Sequence, residues 1–232
     1  MNSHVARQWL AGMACLVAGA AQAASIAWSN GPNYNGANGF QGILTNGSLV
    51  AAYDLGTSPS APPLTVDPSG LNITFTPIDS PFFTAYNFNS GSPGSTDAAW
   101  NTIVDTTEWT ASNFSAPAFL SGLTAGRSYQ VQFFASDSRS CCDTRTSWFS
   151  DGVGAPSTPV VQGSFTSVVG TFVADAGSQT INFFANSQAP ILSAYVLRDI
   201  TITPNVPEPS TYAMLLAGLA GLGWVARRRR AR

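Results

Sequence analysis

The chain has no lysine, a single histidine and three cysteines in 232 residues, and only 9% of it is charged. Ordinary soluble domains carry about 25%. The histidine, His4, falls in a leader segment, so the sequence beyond it has none. That absence excludes Ser-His-Asp and Cys-His catalysis and metal sites built on imidazole. Without lysine, Schiff-base chemistry and Ser-Lys dyads are excluded as well. No Gly-rich phosphate cradle sits between a strand and a helix. What remains is carboxylate chemistry, and Glu108 is the only glutamate between residues 25 and 205.

The charge that is present is segregated. Between residues 25 and 205 stand four arginines (Arg127, Arg139, Arg145 and Arg198) against eleven acids from Asp54 to Asp199, and 4 minus 11 leaves −7. The formal −2 of the whole chain hides this acidic body. Such a surface repels nucleic acid and anionic lipid, so no nucleic-acid partner is expected. With 15 prolines and 21 glycines, the composition points to short strands and many turns.

Both ends carry addresses. Arg7 precedes the apolar segment Trp9–Ala21, which closes on Ala21-Gln22-Ala23. This is the pattern of a secretory signal peptide over residues 1–24, cut after Ala23 or Ala24 by signal peptidase once the secretion machinery has engaged it. Cys15 belongs to the apolar segment and leaves with it, since Gly12-Met13-Ala14 is not a lipobox. At the other end, residues 206–232 hold Pro207, Glu208 and Pro209, then the uncharged run Tyr212–Ala226, then Arg227, Arg228, Arg229 and Arg230. The two prolines keep the segment extended and out of any helix. As a helix the apolar run would span roughly 22–24 Å, and the arginines would stay cytoplasmic. The C-terminal helix would thus hold the body outside the inner membrane.

Proline-flanked acid, short apolar helix and arginine cluster together resemble the PEP-CTERM sorting signal of Gram-negative bacteria. The resemblance implies export, processing by an exosortase at the membrane, and association with exopolysaccharide and biofilm matrix. It makes Pro207, Glu208 and Pro209 the recognition motif and Arg227–Arg230 its basic cluster.

The body, residues 25–205, is of a size for one domain, and its pattern has period two. In Ser128–Ser136, Tyr129, Val131, Phe133 and Ala135 share one face and Gln130, Gln132 and Ser136 the other, with Phe134 the exception. That predicts a half-buried strand. Further strands are expected over Leu49–Asp54, Leu71–Thr76, Ser112–Leu120, Thr144–Phe149, Val160–Phe165, Val168–Ala174, Gln179–Ala185 and Ser193–Thr203. The last has a phase shift that predicts a bulge near Arg198-Asp199. Asp97–Asp105 allows one or two helical turns. The fold class is therefore all-β, a β-sandwich of jelly-roll type, flanked by the signal helix and the C-terminal hydrophobic helix. Leu123-x-x-Gly126-x-x-Tyr129-x-Val131-x-Phe133 followed by Asp137, with the closing strand Ala194–Ile202, resembles the galactose-binding-like and malectin-like jelly rolls. Many of these bind carbohydrate and some hold a structural calcium.

Three constellations carry candidate chemistry. Asp137, Arg139 and Arg145 lie in a polar loop followed by Trp148, and donors, acceptors and an aromatic platform are what sugar recognition uses. The same charges can instead pair with each other to hold the loop. Glu108 and Asp105, beside Trp100 and Trp109, would suit a carboxylate glycoside hydrolase, or a loop that plugs the sandwich edge. Trp28–Gly36 mixes aromatics and amides in the same way but also reads as turns. Cys141 and Cys142, adjacent in an oxidising compartment, close a vicinal disulfide or bridge between molecules. Scattered Asp54, Asp67, Asp79 and Asp199 offer oxygens for a structural calcium, without any Asp-x-Asp spacing to support it. No other cofactor or metal is expected. The sequence thus points to a non-catalytic, exported matrix protein that contacts extracellular polysaccharide. A self-associating structural protein and a carboxylate hydrolase are the alternatives.

Overall fold

The computed structural model describes residues 24–87 and 90–202. The signal segment, the Pro-Glu-Pro motif, the apolar run and the arginine cluster lie outside the described residues. In chain order the strands are β1 (Ala27–Asn33), β2 (Ser48–Asp54), β3 (Leu64–Val66), β4 (Ile73–Pro77), β5 (Ala85–Asn87), β6 (Thr107–Trp109), β7 (Phe114–Ser121), β8 (Ser128–Phe134), β9 (Thr146–Ser150), β10 (Val160–Val161), β11 (Thr166–Val173), β12 (Ser178–Ala185), β13 (Ile191–Leu192) and β14 (Ala194–Asp199). Helix α1 (Ala98–Asp105) sits between β5 and β6. The described chain is mostly β, as its period-two pattern and turn-rich composition predict.

Three sheets result. The largest has seven strands in the order β1-β11-β8-β14-β2-β4-β3, with β8 and β14 near its middle; a second runs β10-β9-β12-β7 and a third β13-β6-β5. Most neighbours are antiparallel, β2 with β4 being parallel. The four-stranded sheet packs on the large one as a sandwich. Phe133 of β8 meets Phe149 of β9 at 4.7 Å between ring centroids, and Phe119 of β7 meets Tyr195 of β14 at 5.2 Å. Tyr129, Val131, Tyr195 and Leu197 complete this core from the large sheet.

The strand over residues 128–134 is not half-buried: both of its faces are covered. Phe134, the misfit of the alternation, points into a second core on the far face of the large sheet with Tyr34, Trp100, Ile103 and Val196. Trp100 and Tyr34 lie edge-on to it at 5.0 and 5.1 Å. Burying Phe134 contributes roughly 1.5–3 kcal/mol. Helix α1 delivers Trp100 because Asp97 caps it, accepting the Trp100 N–H at 2.9 Å. Gln132, on the same covered face, is tolerated because its amide is satisfied. Its Oε1 accepts the Leu44 N–H at 2.8 Å, and its Nε2 donates to the Gly42 carbonyl at 2.8 Å and the Ser167 hydroxyl at 3.0 Å.

Other expectations were met unevenly. The β14 ladder shifts register against β2 between Leu197 and Arg198, where the phase change predicts a bulge. There Arg198 turns to donate to the carbonyls of Asn46 at 2.6 Å and Gly47 at 2.9 Å. The strand expected over Val160–Phe165 stops at Val161. A 3-10 turn follows, and Phe165 takes a left-handed conformation at φ 52° that redirects the chain into β11.

Candidate functional site

A pocket of about 460 Å³ opens between the loop after β8 and the edge of the three-stranded sheet. One wall is polar, from Asp137, Arg139 and Arg145, together with Cys141 and Cys142. The facing wall is apolar, from Trp109, Ile191 and Ala189. Trp109 and Ile191 are direct register partners in the β6–β13 ladder, so they present one continuous surface.

The loop is held by its own backbone. Cys142 and Asp143 both donate to the Arg139 carbonyl, at 2.8 and 2.9 Å, and Arg145 donates to that of Cys142 at 3.0 Å. It is then docked onto the turn after β10: Gln162 donates to the Arg145 carbonyl at 2.8 Å and Gly163 to that of Asp143 at 3.0 Å. Glycine is required at 163, since a Cβ there would stand 2.7 Å from the Asp143 carbonyl oxygen. Within this turn Cys141 and Cys142 are joined in a vicinal disulfide. Cys142 is buried and Cys141 exposed.

Asp137 is almost fully buried and is neutralised by Arg139. Its Oδ1 accepts from the Arg139 Nε at 2.8 Å, and its Oδ2 accepts from Nη2 at 2.5 Å. A two-pronged contact of this kind is the strong form of the ion pair. The hydrogen bond to Asp137 pushes the Arg139 pKa up, opposed by partial burial and aided by the charge of Asp137. Arg145 faces the same pocket, and its guanidinium has no hydrogen-bond or ion-pair partner among the described residues.

The structure separates residues that the sequence groups together. Trp148 does not line the pocket: it lies half-buried on the outer face of the four-stranded sheet, stacked on its cross-strand neighbour Phe184 at 5.6 Å and 11°. Glu108 and Trp109 are adjacent in β6 and face opposite ways. Trp109 reaches the pocket while Glu108 is 1% exposed in the interior. The Glu108 Oε1 accepts the Ser80 N–H at 3.0 Å, and Oε2 has no hydrogen-bond partner among the described residues. Burial, opposed by that hydrogen bond and reinforced by the charges of Asp79 and Asp54, pushes its pKa up to about 8. Asp54, fully buried, accepts from the Gly56 N–H at 3.2 Å and the Thr106 hydroxyl at 3.3 Å through Oδ1, while Oδ2 has no hydrogen-bond partner among the described residues. Burial raises its pKa too. Asp105 is engaged elsewhere, accepting the Gly91 N–H at 2.8 Å. Asp199 pairs with Arg127 at 2.6 Å. Among the described residues no three acids, histidines or cysteines gather as ligands for a metal ion.

Sequence reasoning placed Trp109 with Glu108 and did not place it with the arginine loop. Ile191 and Ala189 gave no signal at all. The ladder that joins Ile191 to Trp109 is only two residues long, and Ala189 lies outside it.

Residues 205–230 match the PEP-CTERM protein-sorting motif. No curated protein matches the chain. Among solved structures, similarity extends to a beta-glucuronidase of Bacteroides uniformis, at 15% identity and TM-score 0.44, over 73% of this chain and 19% of that one. It extends also to the ANX1 ectodomain from Arabidopsis thaliana, at 14% identity and TM-score 0.43, over 69% and 52%. This chain therefore spans about a fifth of the glucuronidase and about half of the ectodomain. Among the described residues no helix is long and apolar enough to cross a membrane.

Proposed function

Because residues 205–230 carry an exosortase sorting motif, we propose that this exported chain passes through an inner-membrane-anchored intermediate to the cell surface or biofilm matrix, and there contacts polysaccharide without catalysis. The body is read as a jelly roll that presents the pocket at one edge of its sandwich. The observation that carries the reading is the pocket's two unlike walls. An indole and an aliphatic side chain offer a surface on which a pyranose ring can lie, and a rigid loop opposite offers guanidinium donors for ring hydroxyls. The non-catalytic reading is supported by Glu108, which is buried on the face of β6 opposite the pocket. A glycosidase needs two carboxyl groups across an accessible sugar bond.

The full-length chain, purified in detergent, is titrated with the host's extracellular polysaccharide and with defined oligosaccharides. Trp109→Ala is expected to weaken binding about tenfold or more, in line with the loss of a central aromatic contact. Trp148→Ala, on the other face, is expected to leave affinity within about twofold. Loss of binding in Trp148→Ala with none in Trp109→Ala would move the site to the outer sheet, and no binding by the unaltered chain would overturn the reading.

A further inference from the structure

We infer that the sugar unit this pocket takes is anionic, with its acidic group held by Arg145. The inference rests on the polysaccharide reading and adds the charge class of the ligand. Four arginines serve the body, and three are occupied. Arg127 pairs with Asp199, Arg139 with Asp137, and Arg198 is 6% exposed and donates to two backbone carbonyls. Arg145 has no such partner among the described residues, and it faces the pocket. The ionisable groups lining the pocket are Asp137, Arg139 and Arg145, so −1 plus 2 leaves +1. Asp143, the other acid of the loop, does not line it.

That local sign opposes the net negative charge of the body, which remains negative although several of its acids are buried. A net negative surface disfavours an acidic glycan elsewhere, so the pocket is the place where such a ligand meets attraction. The geometry suits a carboxylate or sulfate on a sugar ring. The ring rests on Trp109 and Ile191, and the acidic group projects from its edge toward the loop. A guanidinium presents a planar fork of donors that matches a carboxylate or sulfate two atoms at a time. The backbone of Arg145 is fixed, because its N–H is bound to the Cys142 carbonyl and its own carbonyl accepts from Gln162. A ligand has then to order only the side chain at this position.

The test uses the full-length chain in detergent and three probes: an oligogalacturonide, the same oligosaccharide fully methyl-esterified, and a sulfated galactan oligosaccharide. Esterification removes the charge and leaves the ring. The acid is expected to bind about tenfold or more tighter than the ester, as a charged hydrogen bond implies. Arg145→Gln is expected to bring the acid to the ester's affinity while leaving the ester within about twofold. The sulfated probe separates a general anion site from a carboxylate site, and tighter binding than the ester by either acidic probe supports the inference. Equal binding of ester and both acidic probes overturns it, yet leaves polysaccharide contact standing if Trp109→Ala weakens all three. An acid preference that survives Arg145→Gln overturns the role given to that residue. Binding of none of the probes, nor of the host polysaccharide, overturns the polysaccharide reading and this inference together. The acid-to-ester ratio on the unaltered chain decides even where a variant fails to fold.

Discussion

Asp137 and Glu108 are both acids removed from water, and the protein neutralises them in opposite ways. Asp137, beside the pocket, is given a cation: Arg139 grips both of its oxygens. Glu108, on the inner side of β6, is given none, and with a pKa of about 8 it keeps its proton at neutral pH. Asp54 shares that interior, also with an oxygen unpartnered among the described residues and a raised pKa. Asp151 shows a third way, its carboxylate accepting backbone N–H groups from Ile26, Val153 and Gly154. The difference follows from composition. With no lysine and four arginines for eleven acids in the body, cations are too few to pair with every buried carboxylate. Those left over must find amides or hold protons, because an isolated buried charge is too costly to keep. Two of the four arginines, Arg139 and Arg145, stand in the loop that shapes the pocket.

The sharpest way to break this comparison is to titrate stability. Over pH 4.5 to about 8 the folded chain holds a proton on Glu108 that the unfolded chain releases. Stability from this group is therefore complete below about pH 4.5, is lost as pH rises, and changes no further above about pH 8. Between pH 5 and 8 the loss is about 3 kcal/mol, or roughly 6–12 °C in melting temperature for a chain of this size. Asp54 acts with the same sign. Glu108→Gln keeps the shape and carries no charge, so most of the slope is expected to vanish and the melting temperature at pH 8 to rise. A slope unchanged in Glu108→Gln would mean that the proton is not held there.

Removing the cation from the other member of the comparison costs less. Arg139→Ala leaves the Asp137 carboxylate with one backbone N–H, from residue 139 itself at 3.2 Å. The expected loss is about 1–3 kcal/mol, below that of a fully buried pair because the Arg139 side chain is 42% exposed. Adding Asp137→Asn to Arg139→Ala removes the stranded charge and is expected to recover much of the loss in a denaturant titration. If Arg139→Ala alone is neutral, solvent rather than the arginine satisfies Asp137.

How much of this was legible in the sequence depended on the length over which each signal ran. Strands such as β8, β11 and β12 announced themselves by alternation, whereas β1, although seven residues long, did not: Gly31 and Pro32 within it made the segment read as turns. The ladders of β6 and β13 are two or three residues long, and no periodicity exists over so short a run. Phe134 did signal the second core, as an apolar residue on a polar face, but only contact with Trp100 says what covers it. The polar loop was visible as Asp137, Arg139 and Arg145. Its facing wall was not, since Trp109 and Ile191 come from distant segments. Trp148 and Phe149 show the limit of local reading: both are aromatic, so the pair cannot tell which one faces inward. Register decides it, placing Phe149 in the core and Trp148 on the outer face.

The smallest expected effect on stability, and the most telling for the pocket, comes from the disulfide. A bridge between neighbours closes almost no loop, so the entropy it removes from the unfolded chain is slight. Cys141→Ser combined with Cys142→Ser is thus expected to move the melting temperature by less than about 2 °C, a fraction of a kcal/mol. Yet both cysteines line the pocket, and the bridge lies in the turn between Arg139 and Arg145. Freed of it, the loop keeps its backbone hydrogen bonds but gains rotamer freedom at two wall positions that a bound sugar would have to order again. Affinity for the preferred glycan is expected to fall roughly threefold to tenfold, and a dithiol reductant acting on the unaltered chain should give the same fall. A loss of binding without loss of stability would assign the bridge to the pocket. A large drop in melting temperature with affinity intact would assign it to the fold, and the contrast between the pocket loop and the interior would no longer hold at this point.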